Sequence, residues 1–187
     1  MKILFITSHI THPSSPVFMR NQTGFGYMVF DIAKNMSKYN DVDIFIANTF
    51  SSNLQIEGVN IIGRTWLTYF CGLSLRNISN GIKFIRKYRL PLKRSLRELY
   101  MYTSLSQIRS KLKDYDVVHI HGCSEITDGM IRMCKYQKVP FVVTLHGLNS
   151  FEDKIKLKYL ETIKQQEQEN YKLLTLSYKQ VREFKHD

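Results

Sequence analysis

Two short apolar runs with a helix-like segment between them constrain the fold of this chain more than any other feature. Val117–Ile120 and Phe141–Leu145 are rich in β-branched residues, and each run leads into a His-Gly pair. The segment between them carries apolar residues at helical spacing, namely Ile126, Met130, Ile131 and Cys134. A strand, a crossover helix and a second strand of this kind form a βαβ unit with parallel strands. Ligands bind beyond the carboxyl ends of such strands, so we predict a functional edge at His121-Gly122 and His146-Gly147.

Strands and helices alternate along the rest of the chain. The apolar runs predict strands at residues 2–7, 42–47, 59–62 and 173–176. The predicted helices are one that opens at Thr23-Gly24-Phe25-Gly26, one that carries Ile78, Ile82 and Ile85 and ends before Pro91, two at about 93–113 and 152–170, and one from Ser177. We therefore predict a single α/β domain that is doubly wound around a mostly parallel sheet.

Composition places the chain among globular proteins of one domain. It has 187 residues, of which 43% are hydrophobic and 23% charged, enough to build a core. The apolar opening at residues 2–7 is too short for a signal peptide or a membrane span. The chain has three cysteines, Cys71, Cys123 and Cys134, and their spacing is not that of metal ligands. An odd number of cysteines without such spacing favours a reducing, cytoplasmic location.

The positive charge is concentrated in one segment. The net charge is +11, and residues 64–97 contain nine basic residues and no acidic ones. Trp66, Tyr69, Phe70, Phe84 and Tyr88 are interleaved with these cations. Such a segment favours a partner with phosphates, and we predict that it binds an anionic membrane surface. A solvated basic face is the alternative; nucleic acid is not expected, because no recognised binding motif accompanies the charge.

The glycines after the first strand are candidates for binding a phosphate. A glycine at a helix start lets backbone amides face an anion, and the helix dipole favours it. Gly24 and Gly26 do not form the dinucleotide fingerprint, since its third glycine would fall at Val29. The alternative is that both glycines only shape the loop.

Taken together, these segments resemble the N-terminal half of family 4 glycosyltransferases, a group of retaining enzymes with the two-domain GT-B fold. The resemblance rests on the opening strand, the Gly-containing helix start, Asp116–Gly122, Pro140–Gly147 and the run Leu174–Ser177. It implies a Rossmann-like domain that binds a glycan or lipid-linked acceptor, as in polysaccharide biosynthesis. The donor, a UDP- or GDP-sugar, would be bound by a C-terminal domain, and transfer would need neither metal nor cofactor. Residues 1–187 are then expected to be the acceptor-side domain, without the donor-binding domain and inactive alone.

The resemblance also implies roles for individual residues in the substrate-binding cleft. His121 corresponds to the catalytic histidine that faces the sugar, and Gly24, which with Thr23 matches the family's glycine pair, approaches the donor phosphate. His146, Gly147, Gly122 and His9 are expected to line the same cleft. His119 lies on the same face of its strand but deeper, which is typical of a core residue with a satisfied hydrogen bond.

Alternative functions stay open at this point. His9, His12, His119, His121 and His146 could approach one another, but a zinc site needs a cleaner set of ligands, so we predict no metal. Glu161 and Glu169 match the spacing of the family's paired glutamates; on a helix crowded with Glu, Gln and Lys we interpret this as coincidence. No carboxylate pair at the strand ends supports glycoside hydrolysis. The remaining alternative is a stand-alone α/β module that binds a phosphorylated ligand.

Overall fold

The computed structural model describes residues 1–15, 17–18, 23–47, 51–66, 70, 73–122, 125–145 and 173–175. Within them, seven strands form one sheet in the order β3-β4-β2-β1-β5-β6-β7. The strands are β1 (Lys2–Thr7), β2 (Asp41–Ile46), β3 (Leu54–Ile56), β4 (Val59–Ile62), β5 (Val117–His121), β6 (Phe141–Leu145) and β7 (Leu173–Thr175). All neighbouring strands pair in parallel except β3, which is antiparallel to β4.

The described helices cover both faces of the sheet. They are α1 (Gly24–Ser37), α2 (Leu75–Tyr88), α3 (Leu92–Ser104) and α4 (Glu125–Gln137), with 3-10 segments at Leu105–Gln107 and Arg109–Asp114. Helix α1 packs on β2 and β4, and α4 packs on β5 and β6. Helix α2 packs against α3, which in turn contacts α4. The predicted doubly wound, Rossmann-like α/β fold with a mostly parallel sheet is confirmed.

The central strand β1 is buried on both faces. Ile3 and Phe5 lie in the apolar core under α1, whereas Leu4 and Ile6 lie in the core under α4. All four side chains are fully buried, as expected for a strand whose two faces are both covered by helices. Chain order reverses here, because β2 lies on one side of β1 and β5 on the other. In this class of fold such a reversal marks the place where ligands bind.

Most predicted strands are confirmed, and one strand was missed. The observed bounds differ from the predicted ones by at most one residue at either end. The additional strand is β3, which forms a hairpin with β4 through Glu57 and Gly58, at φ 50° and 83°. Two consecutive positive φ angles indicate a type I′ turn, whose twist matches a hairpin. The Glu-Gly dipeptide between Ile56 and Val59 was the available signal.

The predicted long helix at residues 93–113 is wrong. Helix α3 ends at Ser104, and tighter 3-10 turns follow. Leu105, Ile108 and Leu112 are all fully buried in the core under α4. The spacing of three between the first two suits a 3-10 turn. Ser106 Oγ also accepts a hydrogen bond from the Ser74 amide at 3.1 Å, so tertiary contacts override the helix period.

Helices α2 and α4 end in the same way. Arg89 and Lys138 follow them in the left-handed region, at φ 48° and 59°. In α4, the Val139 amide donates to the Cys134 carbonyl at 3.0 Å and the Lys138 amide to the Lys135 carbonyl at 3.2 Å. This is a Schellman motif, which usually has glycine at the left-handed position.

Several sequence predictions fall outside the described residues. They are the helices at 152–170 and from Ser177, His146, Gly147, Cys71 and Cys123. Cys134 is buried, and burial raises the pKa of its thiol to about 12, so this side chain is a protonated core residue. None of the helices in the described part of the chain is long and apolar enough to cross a membrane.

Candidate functional site

The candidate site lies where β1 and β5 end side by side, at the reversal of strand order. β1 ends at Thr7 and β5 at His121, and Ile6 pairs with Ile120. The loop after β1 and the first turn of α1 reach the end of β5. A Cβ built on Gly122 would lie 3.9 Å from Phe25 Cζ. The structure therefore brings together His9, Gly24 and the β5 terminus, three positions that the sequence separates by up to about a hundred residues.

His9 connects the loop to the start of α1. Its Nδ1 lies 3.0 Å from Ser8 Oγ, and its Nε2 lies 2.7 Å from Thr23 Oγ1. Thr23 is the N-cap of α1, and its Oγ1 also accepts a hydrogen bond from the Gly26 amide at 3.0 Å. Burial lowers the pKa of His9 below its ordinary value of 6.5. A neutral imidazole is thus held beside the helix N-terminus, where the helix dipole also disfavours a cation.

Gly24 and Gly26 differ in what their missing side chains allow. A Cβ on Gly26 would lie 2.3 Å from Thr11 Oγ1 and 2.8 Å from the Thr11 amide nitrogen. Gly26 is therefore required for α1 to pack on the loop. Gly24 is exposed, and a Cβ there would meet nothing within 4 Å. No packing contact accounts for glycine at position 24, and its amide lies at a helix start, where the first amides have no helical acceptor.

The rings of His121, His119 and Phe5 pack together on the α1 face of the sheet. The two imidazole centroids are 4.0 Å apart, and each is 4.9 Å from the Phe5 ring. His119 Nε2 lies 2.7 Å from Thr144 Oγ1, which confirms its predicted hydrogen bond. The predicted order of burial is wrong, because His119 is half-buried whereas His121 is only 3% exposed. The Phe5 ring lies nearly parallel to that of His121, at 17°, and covers it.

Gly122 turns the chain at the end of β5. Its φ is +103°, a conformation that L side chains rarely adopt. Its amide donates to the Thr144 carbonyl at 2.9 Å, and its carbonyl accepts from Thr127 Oγ1 at 2.8 Å. Both backbone groups therefore tie β5 to β6 and α4. The predicted substrate contact of Gly122 stays a prediction.

His12 lies apart from these histidines. Its Nδ1 accepts a hydrogen bond from the Ser14 amide at 3.2 Å, so its Nε2 is the donor to Glu57 Oε1 at 3.0 Å. This contact fastens the loop to the β3–β4 hairpin, and Glu57 also pairs with Lys34 of α1. In the described ranges, no group of three or more His, Cys, Asp or Glu side chains is placed to hold a metal ion.

Arg64 corrects part of the interpretation of the basic segment. Its side chain is fully buried, donates to the Ala47 carbonyl, and donates to Tyr100 Oη at 2.8 Å. The guanidinium thus joins the end of β2 to α3, and it is a structural cation that no membrane surface reaches. The first basic residue of segment 64–97 must be removed from the proposed membrane-binding set.

Sequence reasoning did not assign the side-chain contacts that support the site, which are made by Thr11, Thr23, Thr144 and the ring of Phe25. It placed Thr23 and Phe25 at the helix start without predicting these contacts. The Thr23 contact could have been predicted, because a threonine directly before a helix is a typical N-cap. Thr11 and Thr144 carry no local signal, because their partners are distant in sequence.

Comparison with known protein families gives a match over most of the chain. The sequence model of Glycosyltransferase Family 4 matches residues 22–181, more than four fifths of the chain. The matched range contains the α1 start, Gly122 and both His-Gly strands. A search of curated proteins found no match. The extent of the family match, on a confirmed α/β fold with its candidate site at the strand-order reversal, shows that the chain belongs to glycosyltransferase family 4.

Proposed function

We propose that this chain is the acceptor-binding, N-terminal domain of a retaining hexosyltransferase with the GT-B fold. It acts with a donor-binding domain that supplies a UDP- or GDP-linked sugar, and it passes that sugar to a glycan or lipid-linked acceptor. The observation that carries the proposal is the convergence of His9, Gly24 and His121 at the β1/β5 reversal. Family membership supports sugar transfer as the reaction class.

Gly24 is the group we assign to the donor phosphates. In a sugar transfer, negative charge grows on the departing diphosphate. A helix N-terminus offers amide donors and a favourable dipole to such charge. Because a Cβ at Gly24 would meet open space, a phosphate can approach the backbone closely there. No metal or other cofactor enters this proposal.

His121 is the residue we assign to the sugar. His121 ends β5 and is 3% exposed, and we propose that this small exposed part holds a sugar hydroxyl and aligns the sugar ring. Stacking on Phe5 and a tilted contact with His119 fix the orientation of the His121 ring, so little freedom is lost when a substrate binds. His146 and Gly147 follow β6 directly in the sequence, and we propose that they line the same cleft.

Helices α2 and α3 are the surface we assign to an anionic membrane. Leu75, Leu92 and Leu96 are 86%, 77% and 63% exposed. Arg76, Lys83, Arg86, Lys87, Arg89 and Lys93 are exposed cations of the same two helices and the turn between them. Exposed leucines amid cations, with no acidic residue from position 64 to position 97, suit a peripheral contact with anionic lipid. On the cytoplasmic face of a membrane, such a contact would bring a lipid-linked acceptor to the cleft.

Sugar-nucleotide turnover tests the proposal. The complete gene product and the 187-residue chain are compared on a panel of UDP- and GDP-sugars. We expect turnover by the complete product, none by the chain alone, and loss of turnover in His121→Ala. Because His121 is buried, His121→Gln and the melting temperatures of both variants separate lost chemistry from lost folding. If the complete product turns over no donor, a binding module for a phosphorylated ligand replaces the transferase proposal.

A further inference from the structure

A cavity lies between the start of α2, the 3-10 segments and the end of α4, apart from the β1/β5 reversal. Its volume is about 780 Å³. Arg76, Arg109 and Lys113 line it, and no carboxylate does so among the described residues. Hydroxyl groups complete the lining, from Ser74, Ser106 and Ser110. A cavity with three cations and several hydroxyls suits an anion with several oxygens.

Two of these cations are held in place by contacts that leave donors available. Arg76 Cζ lies 3.3 Å from the centroid of the Tyr136 ring, so stacking positions its guanidinium without using its N–H groups. Arg109 Nη1 donates to Ser74 Oγ at 2.8 Å, and the Arg109 carbonyl accepts from Gln137 Nε2 at 2.8 Å. Each guanidinium has five N–H donors in a fixed fork, which matches phosphate geometry.

The start of α2 adds main-chain donors to the same cavity. Ser74 occupies the N-cap position, but its side chain makes no capping hydrogen bond. Its Oγ accepts from Arg109 instead, and its amide donates to Ser106 Oγ. The first turn of this 14-residue helix contains no acidic residue. The amides of that turn and the helix dipole therefore favour an anion beside the cations.

We propose that this cavity binds the phosphate group of a phosphate ester. The proposal is independent of the sugar-transfer site, which uses the β1/β5 reversal and the start of α1. The phosphate could belong to a soluble ester or to the headgroup of an anionic phospholipid, since exposed Leu73 and Leu75 also line the cavity. Both sources present the same oxygens to Arg76, Arg109 and Lys113.

Titration of the 187-residue chain with inorganic phosphate, followed by amide NMR, tests the site. We expect the amide signals of Ser74, Leu75 and Arg76 to shift and saturate with phosphate, but not with sodium chloride at equal ionic strength. Arg76→Gln and Lys113→Gln should each weaken the affinity about tenfold, because a charge-assisted hydrogen bond is lost. Lys111→Gln is the matched control, since Lys111 is an exposed cation of the same 3-10 segment but lies outside the cavity.

Vesicles of phosphatidylcholine with phosphatidylglycerol identify the source of the phosphate. A soluble ester is assigned if inorganic phosphate saturates the site, Arg76→Gln and Lys113→Gln weaken that binding, Lys111→Gln does not, and vesicle binding does not follow this pattern. A lipid headgroup is assigned if vesicle binding follows the pattern, whether or not free phosphate also binds. The proposal is overturned if neither probe binds, or if Lys111→Gln weakens binding as much as the two cavity variants do.

Discussion

At the scale of single residues, the start of α1 separates two kinds of glycine. Gly26 is fixed by close packing against Thr11, whereas Gly24 faces open space. Thr23 lies between the loop and the helix. Its Oγ1 accepts a hydrogen bond from the Gly26 amide and is also hydrogen-bonded to the His9 ring. Only the three-dimensional arrangement makes this distinction, because both glycines look alike in the sequence.

An alanine substitution should therefore lower stability at Gly26 but not at Gly24. Gly26→Ala places a methyl group against the Thr11 backbone and should lower the free energy of unfolding by about 1–3 kcal/mol, as overpacking does. Gly24→Ala, the matched control, should change it by less than about 0.5 kcal/mol. Urea unfolding followed by circular dichroism measures both. Equal losses in the two variants would contradict the packing described here.

The titration of His9 offers a second prediction at this scale. Burial lowers the pKa of His9 in the folded chain, whereas the unfolded value is about 6.5. The unfolded chain thus binds more protons between the two values. The contribution of His9 to stability is present above pH 6.5 and is lost as the pH falls through the folded pKa. An NMR titration of the His9 imidazole should give a midpoint below 6.5; a midpoint at or above it would contradict the buried, neutral assignment.

At the scale of elements, tertiary contacts decide where the helices end. The sequence predicted α1, α2 and α4 and most strands, because apolar periodicity reports burial directly. It predicted one helix over 93–113, but the 3-10 turns place Leu105, Ile108 and Leu112 in the core. Such a change of helix type depends on partners in α4 and at Ser74, which local pattern does not contain.

The left-handed ends of α2 and α4 allow a stabilising substitution. Lys138 occupies the position of a Schellman motif that glycine normally fills, at φ 59°. Lys138→Gly should raise the free energy of unfolding by about 0.5–1 kcal/mol, because glycine avoids the strain of a left-handed side chain. Lys138→Ala is the matched control, since it removes the same charge and keeps the strain. No gain of the glycine variant over the alanine variant in thermal unfolding would contradict this reading of the helix end.

At the scale of the whole molecule, the site could be predicted only in part. The His-Gly strand ends and the helix start identified the β1/β5 reversal, because parallel strands end at a common edge. The burial of His121 under Phe5 and the support from Thr144 required the register of three strands. The burial of Arg64 could not be predicted either, because the sequence shows its charge but not the Ala47 carbonyl that accepts its hydrogen bond.

The basic face of α2 and α3 gives a prediction that belongs to the molecule as a whole. The chain should co-sediment with vesicles that contain anionic phospholipid at low salt, with about 1 kcal/mol from each basic residue near the surface. Binding should weaken at high salt, because screening shortens the reach of the charges. At low salt, Leu75→Gln and Leu92→Gln should each weaken binding to these vesicles. The control Tyr39→Gln, at an exposed position after α1, should not. Equal binding to neutral vesicles, or none to anionic ones, would contradict the proposed surface.

The central claim is that substrate binds at the β1/β5 reversal, and the rate of sugar transfer by Gly24→Ala tests it most directly. The complete gene product carries the substitution, and its melting temperature is recorded alongside. We predict that kcat/KM falls at least about tenfold, the loss of roughly one charge-assisted hydrogen bond to phosphate, while the melting temperature is unchanged. Unchanged kcat/KM in a folded Gly24→Ala enzyme would contradict the account and move the donor phosphates away from the start of α1.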